Sequence, residues 1–360
     1  MDEEMGKPPS GELAKRIGTN KSYISRIEKG ITVPNVVTFY RILYHETYII
    51  STCKSLFYDK SGFIIAYNYQ KKSSENKITK RAFRVARIAR MYPLHWLTLF
   101  IAVALGNYVI ASGAIDWLKH FLASLTLTNA YIPKADYFFS FNSPSWSLCC
   151  EQLFYLCFPF LIPIAKDYKK LLYVFLISAI LIVIGMHFTP ETDIKGYWYV
   201  NPITRLPDFL AGMLLFQLYD RLKGKNITAY QGSIIEIASI ALFLALYLYA
   251  AEIPKVYRYS CYYWLPVAFL LISFSLQKGI VSRLLSNRIL VIGGEISYSF
   301  YLIHLFVLLS YAEWQKGSNF HIAWYISIPI LFCIIVLLSL LSYYYFEKPM
   351  NKRIKTLLNK

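Results

Sequence analysis

The sequence has few charged residues for its length. Lys, Arg, Asp and Glu make up 16% of its 360 residues, while 56% are apolar, and an average soluble domain is about 25% charged. The charged residues are concentrated in short segments between long apolar runs. This distribution excludes an ordinary soluble globular protein and favours one with several membrane-spanning helices.

Cysteine and histidine patterns are also missing. The six cysteines show no CxxC spacing and no histidine cluster, and most of them lie inside apolar runs. We therefore expect small buried thiols rather than disulfides, and no metal site. The first 30 residues contain no apolar run, so no signal-peptide pattern is expected there.

The apolar runs predict the fold class. From residue 92 onward there are about eight of them, each near the ~20 residues that a helix needs to cross a bilayer. They lie at 92–111, 146–165, 171–188, 203–219, 232–250, 260–277, 289–311 and 322–345. The sequence thus predicts an all-α, polytopic transmembrane helical bundle, with an interfacial helix and a loop within 112–145.

The segment 56–70 fits this pattern less well. Asp59 and Lys60 interrupt its apolar residues, and the piece from Gly62 to Tyr69 is too short to cross. It predicts a half-span or a re-entrant segment packed against protein.

The excess of positive charge has two explanations. A net charge of +17 could attract nucleic acid, but the basic segments follow alternate spans, as the positive-inside rule requires. We favour the second explanation, which places these segments and the C-terminus in the cytoplasm.

Glu151 stands near the start of the second run, and Tyr155 lies one turn further on the same helix face. An ionised residue at membrane depth costs several kcal/mol unless it is paired or hydrated, so it indicates a functional site. A carboxylate near the headgroups, or one paired only for packing, is the alternative. Trp146 and Ser147 precede Glu151, and Trp146 taken alone is typical of an interface anchor.

Three arginines recur at i, i+3 and i+6 just before the first run: Arg84, Arg87 and Arg90. The spacing predicts one helix face. Guanidinium groups bind phosphate through two hydrogen bonds, which suits a phosphorylated acyl carrier such as coenzyme A. The alternative is a positive-inside anchor that contacts lipid phosphate.

Two further polar sets lie inside apolar runs. His304 has Tyr301 and Tyr298 on the same helix, and a neutral imidazole there could act as a general base or be a satisfied core residue. Arg205 and Asp208 are three residues apart and could pair with each other or serve a site.

In chain order, six stretches resemble the membrane-bound acyltransferase-3 family, the bacterial O-acetyltransferases that modify surface polysaccharides. They are "SGFIIAYNY", "RVARIARMYPLHW", "NSPSWSLCCEQLFYLCFP", "RLPDFLAGMLL", "GGEISYSFYLIHLFV" and "YFEKP". The resemblance implies a multi-pass protein of the bacterial inner membrane that moves an acyl group, usually acetyl, from acyl-CoA to a glycan hydroxyl. Its expected partners are acyl-CoA as co-substrate with no tightly bound cofactor, an envelope glycan or lipid-linked sugar, and the lipid bilayer.

The matching positions also imply site residues. The catalytic set carried over is His304, Glu151, Tyr155 and Tyr298, with His304 as the base that activates a sugar hydroxyl. The donor-binding set is Arg87, Arg90, Arg205, Trp146 and Ser147.

The chain departs from the family pattern at its start. The family opens with a span that carries an arginine and, about three turns later, the histidine expected to be the catalytic base. No such span is found here, and His45 lacks the arginine spacing and the apolar context. We therefore expect a partial acyltransferase domain over 55–350, whose activity the missing span could impair or abolish.

Residues 1–45 carry a different resemblance. The stretch "LAKRIGTNKSYISRIEKGITVPNVVTFYRI" is similar to the helix-turn-helix of Cro/repressor-type regulators, with a recognition helix at about 21–29. It makes DNA the alternative partner and a membrane-tethered DNA-binding regulator the alternative function. Its core is small, and a chain of this size is marginal alone.

Overall fold

The computed structural model describes residues 48–70, 79–106, 113–317 and 322–358, and these residues form helices joined by turns, loops and short helical segments. The helix-turn-helix-like segment lies outside these ranges. The α-helices longer than six residues are α1 Tyr48–Ile65, α2 Lys80–Ala104, α3 Ala114–Leu125, α4 Trp146–Ala165, α5 Tyr168–His187, α6 Leu206–Leu222, α7 Ala229–Tyr249, α8 Trp264–Ser275, α9 Arg288–Gly317, α10 Trp324–Ser342 and α11 Lys348–Leu358.

Each of the predicted membrane runs coincides with a helix. Five helical segments are long and apolar enough to cross a membrane, and α8 belongs to a shorter apolar one. The other two predicted spans correspond to α2, which begins with a basic turn, and α6, which has 17 residues. The all-α polytopic bundle is confirmed.

Helix α4 is the central helix of the bundle. Among the five candidate spans, 56% of the apolar stretch in the α4 segment is buried inside the protein, whereas the other four are 17–28% buried. Phe154 and Phe158 pack against Phe209 of α6, and Tyr58 of α1 contacts Phe154 edge to face. The largest apolar core therefore lies between α1, α4 and α6.

Helix α1 packs closely on α6. A methyl group added at Gly62 or at Gly212 would collide with the backbone of the other helix. Because glycine has no side chain, the two backbones touch at these positions. Such close contact stabilises helix pairs inside membranes.

Residues 56–70 are part of a longer helix than the sequence predicts. Helix α1 continues through a π-helical turn to Gln70, so the helical segment spans 48–70, which is about 34 Å at 1.5 Å per residue. Asp59 interrupts the apolar pattern, but it is fully buried against protein. The expected packing against protein is thus confirmed, and the expected short length is wrong.

The basic segments gather at one end of the bundle, here called the basic end. Arg221 in the last turn of α6 stacks on the Tyr168 ring at 4.5 Å, and Arg81 of α2 donates a hydrogen bond to the Leu358 carbonyl of α11. Gln70 donates to the carbonyl at the end of α4, whereas Leu56 packs near Tyr263. Helix α1 therefore runs parallel to α6 and reaches the basic end with its C-terminus.

Helix α3 matches the predicted interfacial helix. Its Ile115, Leu118 and Leu122 are exposed on one face, while His120 and Ser124 are buried on the other. An exposed apolar stripe beside a bundle of spans fits a helix lying in the membrane interface.

Candidate active site

A carboxylate and a phenol are joined on α4. The Tyr155 hydroxyl donates a 2.5 Å hydrogen bond to Oε2 of Glu151, and Glu151 is 9% exposed. The i, i+4 spacing on one helix face places the two groups together. The predicted association of Glu151 with Tyr155 is therefore present in the structure.

Arg87 of α2 lies against the same phenol. Its guanidinium carbon is 5.6 Å from the centre of the Tyr155 ring and 4.9 Å from that of Tyr69. Nη2 donates a 2.6 Å hydrogen bond to the Tyr69 hydroxyl. Stacking on two aromatic rings is a usual arrangement for a partly buried arginine, and it fixes a positive charge beside the Glu151–Tyr155 pair.

Tyr298 of α9 completes what we call the central cluster: Arg87, Arg90, Glu151, Tyr155 and Tyr298. Its hydroxyl donates a 2.6 Å hydrogen bond to the Met91 carbonyl, which ties α9 to α2. Glu151, Tyr155 and Arg90 all lie within electrostatic range of it. Three helices that are distant in sequence thus bring five of the predicted site residues together.

Arg90 is exposed and lies about one turn further from the basic end than Arg87. Lys355 of α11 lies near both Arg87 and Arg90. Three cations that repel one another favour an anionic ligand among them. The position of Lys355, in a polar C-terminal helix, gave no sequence signal for this role.

Ser147 and His304 are connected through Tyr301. The Ser147 hydroxyl donates to the Tyr301 hydroxyl at 3.0 Å, and Tyr301 donates to the Pro144 carbonyl. Nδ1 of His304 lies 2.7 Å from the Tyr301 carbonyl oxygen. A carbonyl only accepts, so Nδ1 carries the proton and Nε2 is the basic nitrogen of the neutral ring.

His304 does not belong to the central cluster. Helices α4 and α9 are antiparallel, with Ser147 beside Tyr301, so the positions of Glu151 and His304 differ by about 10 Å along the axes at 1.5 Å per residue. His304 lies on the side away from the basic end. The site therefore has two levels, a charged one near the basic end and an imidazole further from it.

Arg205 lies in a separate, enclosed group, here called the sealed cluster: Asp59, Arg205, Asp208 and Trp264. Nη1 of Arg205 pairs with Asp208 at 3.0 Å, and neither side chain is exposed. Nε donates to the Tyr199 carbonyl, while the Trp264 indole donates to the other Asp208 oxygen at 2.5 Å. The pairing of Arg205 with Asp208, one of the two alternatives read from their spacing, is present.

Trp146 belongs to the surroundings of the sealed cluster. Its ring lies 4.9 Å from that of Tyr199, which also faces Arg205, and 2% of its surface is exposed. Trp146 and Arg205 therefore lie in the core on one side of α4, and the central cluster lies on the other.

Asp59 is the sealed-cluster member that sequence reasoning did not assign. Both carboxylate oxygens are buried, and neither has a hydrogen-bond partner among the described residues. Asp208 and Arg205 are its charged neighbours. An acid inside an apolar helix was itself the available signal, because such a residue is costly in a membrane.

An open groove runs along the central cluster between α2 and α4. It encloses about 310 Å³, and its walls include Arg84, Arg87, Ile88, Trp96, Tyr155 and Leu156. Apart from the two arginines, these side chains are mostly apolar or aromatic. The structure thus divides the predicted arginine row, because Arg84 and Arg87 line the groove and Arg90 faces Tyr298 and Glu347.

Together, the bundle and the central cluster define a multi-pass membrane protein with an internal polar site that opens to a basic end. A family profile described as an acyltransferase domain matches residues 28–344. The chain belongs to this family, as the six motifs predicted. A second profile, described as helix-turn-helix, matches residues 10–43 and supports the resemblance seen there.

Known relatives agree with this family. The chain is 26% identical over 301 residues to "Acyltransferase MdmB" of Streptomyces mycarofaciens, covering 77% of this chain and 73% of that protein. It is 27% identical over 320 residues to "Putative O-acetyltransferase SACOL0978" of Staphylococcus aureus, covering 82% of this chain. The chain spans about half, 52%, of the length of this second relative. No solved structure matches the chain significantly.

Proposed function

We propose that the protein is an O-acyltransferase of the bacterial inner membrane. It would move an acyl group, most simply acetyl, from acyl-CoA to a hydroxyl of a cell-envelope glycan. The observation that carries this proposal is the central cluster, where a carboxylate, two phenols and two arginines from three helices meet inside a bundle of this family. The two relatives whose names state an acyltransferase and an O-acetyltransferase support it.

Arg87, Arg90 and Lys355 would bind the phosphates of the donor. They lie close enough to repel one another at the basic end, which the distribution of Lys and Arg assigns to the cytoplasm. Acyl-CoA is a cytoplasmic polyanion, and arginine forks suit its phosphates. The thioester would then extend into the bundle past Tyr155.

Glu151, Tyr155 and Tyr298 would position the thioester. Both phenol hydrogens are already donated, one to Glu151 and one to the Met91 carbonyl. A hydroxyl has one hydrogen to donate, so these two phenols would fix the shape of the thioester site rather than donate to the substrate.

His304 would act as the general base, with Nε2 as the accepting atom. The acceptor oxygen attacks the thioester carbonyl carbon, and its proton passes to Nε2. The carbon–sulfur bond then breaks, and the proton passes on to the leaving thiolate, which gives an ester and free CoA. The axial distance between His304 and the arginines requires the acyl end of the donor to reach further into the bundle than its phosphates.

The test is transfer of labelled acetyl from acetyl-CoA in proteoliposomes that contain a bacterial envelope glycan fraction. We expect His304→Ala to lower the rate by at least about a hundredfold, as for loss of a general base. His187→Ala, which removes an exposed histidine of α5, serves as the matched control and should keep the wild-type rate. Equal rates for both variants would refute the assignment of His304.

The helix-turn-helix match favours a second candidate, a membrane-tethered DNA-binding regulator. A regulator should bind duplex DNA with a steep dependence on salt and should keep that binding when Arg90 is replaced by Gln. Loss of acyl transfer in Arg90→Gln, with no measurable DNA binding by the wild type, would leave only the transferase.

A further inference from the structure

The groove between α2 and α4 opens sideways rather than toward the basic end alone. Ile88, Trp96 and Leu156 line it and are 42%, 43% and 51% exposed. Trp96 lies in the predicted span 92–111 and Leu156 in the predicted span 146–165, so at these residues the opening faces the hydrocarbon of the bilayer. An apolar channel at that depth is filled by hydrocarbon chains in preference to water.

The groove is closed at the end away from the basic segments. The Trp96 indole donates a hydrogen bond to the Leu125 carbonyl at the end of α3, and its ring lies against Tyr92. Gln152 donates to the Tyr92 hydroxyl at 2.7 Å and bridges α4 to α2. A chain in the groove therefore ends at this wall, and its head group lies toward the basic end.

Arg84 marks the basic end of the groove. It is exposed, and no ion pair joins it to a carboxylate in the described part of the chain. Arg90 is six positions further along the chain, so the two side chains point about 120° apart around α2. Arg84 is thus directed to the lipid-facing groove and away from the side that we assign to the acyl donor.

We propose that the groove binds one acyl chain of an anionic phospholipid, with its phosphate against Arg84. The volume of about 310 Å³ is at the small end of ligand pockets and suits one chain rather than a whole two-chain lipid. The exposed Arg84 guanidinium complements the phosphate, and the apolar walls complement the chain. The lipid site does not depend on the proposed reaction, although Arg87 and Tyr155 border both.

The bound lipid contacts the central cluster from outside. Tyr155 lines the groove with its ring while its hydroxyl holds Glu151. The chain therefore completes the wall behind Tyr155 and keeps water from entering beside Glu151.

The experiment is native mass spectrometry of the full-length protein in detergent, with phosphatidylglycerol and phosphatidylcholine added separately. We expect the wild type to favour phosphatidylglycerol about fivefold, as for one arginine at an anionic lipid surface. Arg84→Gln should remove this preference. Leu156→Trp should remove the bound lipid by filling the groove, while Leu181→Trp on the exposed face of α5 should retain it.

Three outcomes overturn the proposal. They are equal binding of the two lipids by the wild type, wild-type binding by Leu156→Trp, and displacement of phosphatidylglycerol by a polyprenyl phosphate at equal concentration. The last outcome would assign the groove to a lipid-linked substrate. None of these readouts requires acyl transfer, so failure of the proposed reaction would leave the lipid result intact.

Discussion

The central cluster and the sealed cluster use the same chemical groups in opposite ways. Each combines arginine with carboxylate and aromatic side chains. In the sealed cluster, Arg205 and Asp208 are fully buried and pair directly. In the central cluster, Glu151 accepts a hydrogen bond from Tyr155, and Arg90 is exposed. A buried and directly paired charge holds helices together, whereas a charge that remains accessible can act on a ligand.

The sealed cluster should give the largest effect on stability. Arg205→Met leaves Asp59 and Asp208 buried without their cation, which costs about 3–5 kcal/mol of folding free energy. Thermal unfolding in detergent should show a large drop in midpoint, with Arg90→Met as the control that unfolds like the wild type. A wild-type midpoint with lost acyl-CoA binding would instead make Arg205 a donor ligand.

The central cluster should give its largest effect on rate. Glu151→Gln keeps the side-chain shape but weakens the hold on Tyr155, and a misplacement of about 1 Å can cost about a hundredfold in rate. Acetyl transfer in proteoliposomes measures this loss, and the thermal midpoint should stay unchanged. A matching drop in midpoint would show that the Glu151–Tyr155 pair is structural, like the sealed cluster.

A substitution where α1 packs against α6 should have a smaller effect on stability than the loss of Arg205. A Cβ at Gly212 would meet the Asp59 carbonyl oxygen, which is backbone and cannot rotate away. Gly212→Ala should therefore destabilise the protein by about 1–3 kcal/mol, as for an overpacked core.

The matched control is Gly293→Ala in α9, where nothing lies within 4 Å of the added carbon. There the helix should gain stability, by less than about 1 kcal/mol. Similar midpoints for the two variants would mean that α1 and α6 are less tightly packed than the structure indicates.

Replacing Asp59 should give the smallest effect on stability. Its carboxylate has no hydrogen-bond partner among the described residues, so Asp59→Asn removes a costly charge and should change stability by less than about 1 kcal/mol, in the stabilising direction. Lys60→Gln, at the exposed neighbouring position, is the control. A clear loss of midpoint for Asp59→Asn alone would mean that Arg205 pairs with both carboxylates.

The sequence was sufficient to predict helices but not their partners. Apolar runs predicted α4, α5, α7, α9 and α10, because length and hydropathy alone make a span. Helix α1 was predicted too short, since Asp59 is tolerated only through burial against α6, and no local pattern shows that contact. The close packing at Gly62 and Gly212 is likewise a property of two helices together.

The candidate site was predictable as a set of residues but not as an arrangement. A carboxylate at membrane depth pointed to Glu151, and spacing pointed to Tyr155. Periodicity placed the three arginines on one face, but that face spans about 120°, enough for Arg84 and Arg90 to face different surroundings. The roles of Lys355 and of the groove depend on contacts between distant helices, which one sequence does not contain.

The direction of α1 bears on how the two resemblances can coexist in one chain. Leu56 of α1 packs near Tyr263 and Gln70 at the end of the helical segment bonds the carbonyl of Ala165, so the chain enters the bundle from the face opposite the basic end. If the basic end faces the cytoplasm, a DNA-binding domain joined directly to Tyr48 would lie on the opposite side of the membrane from the chromosome. Gene regulation by this chain would require one more crossing before Tyr48, whereas acyl transfer would not.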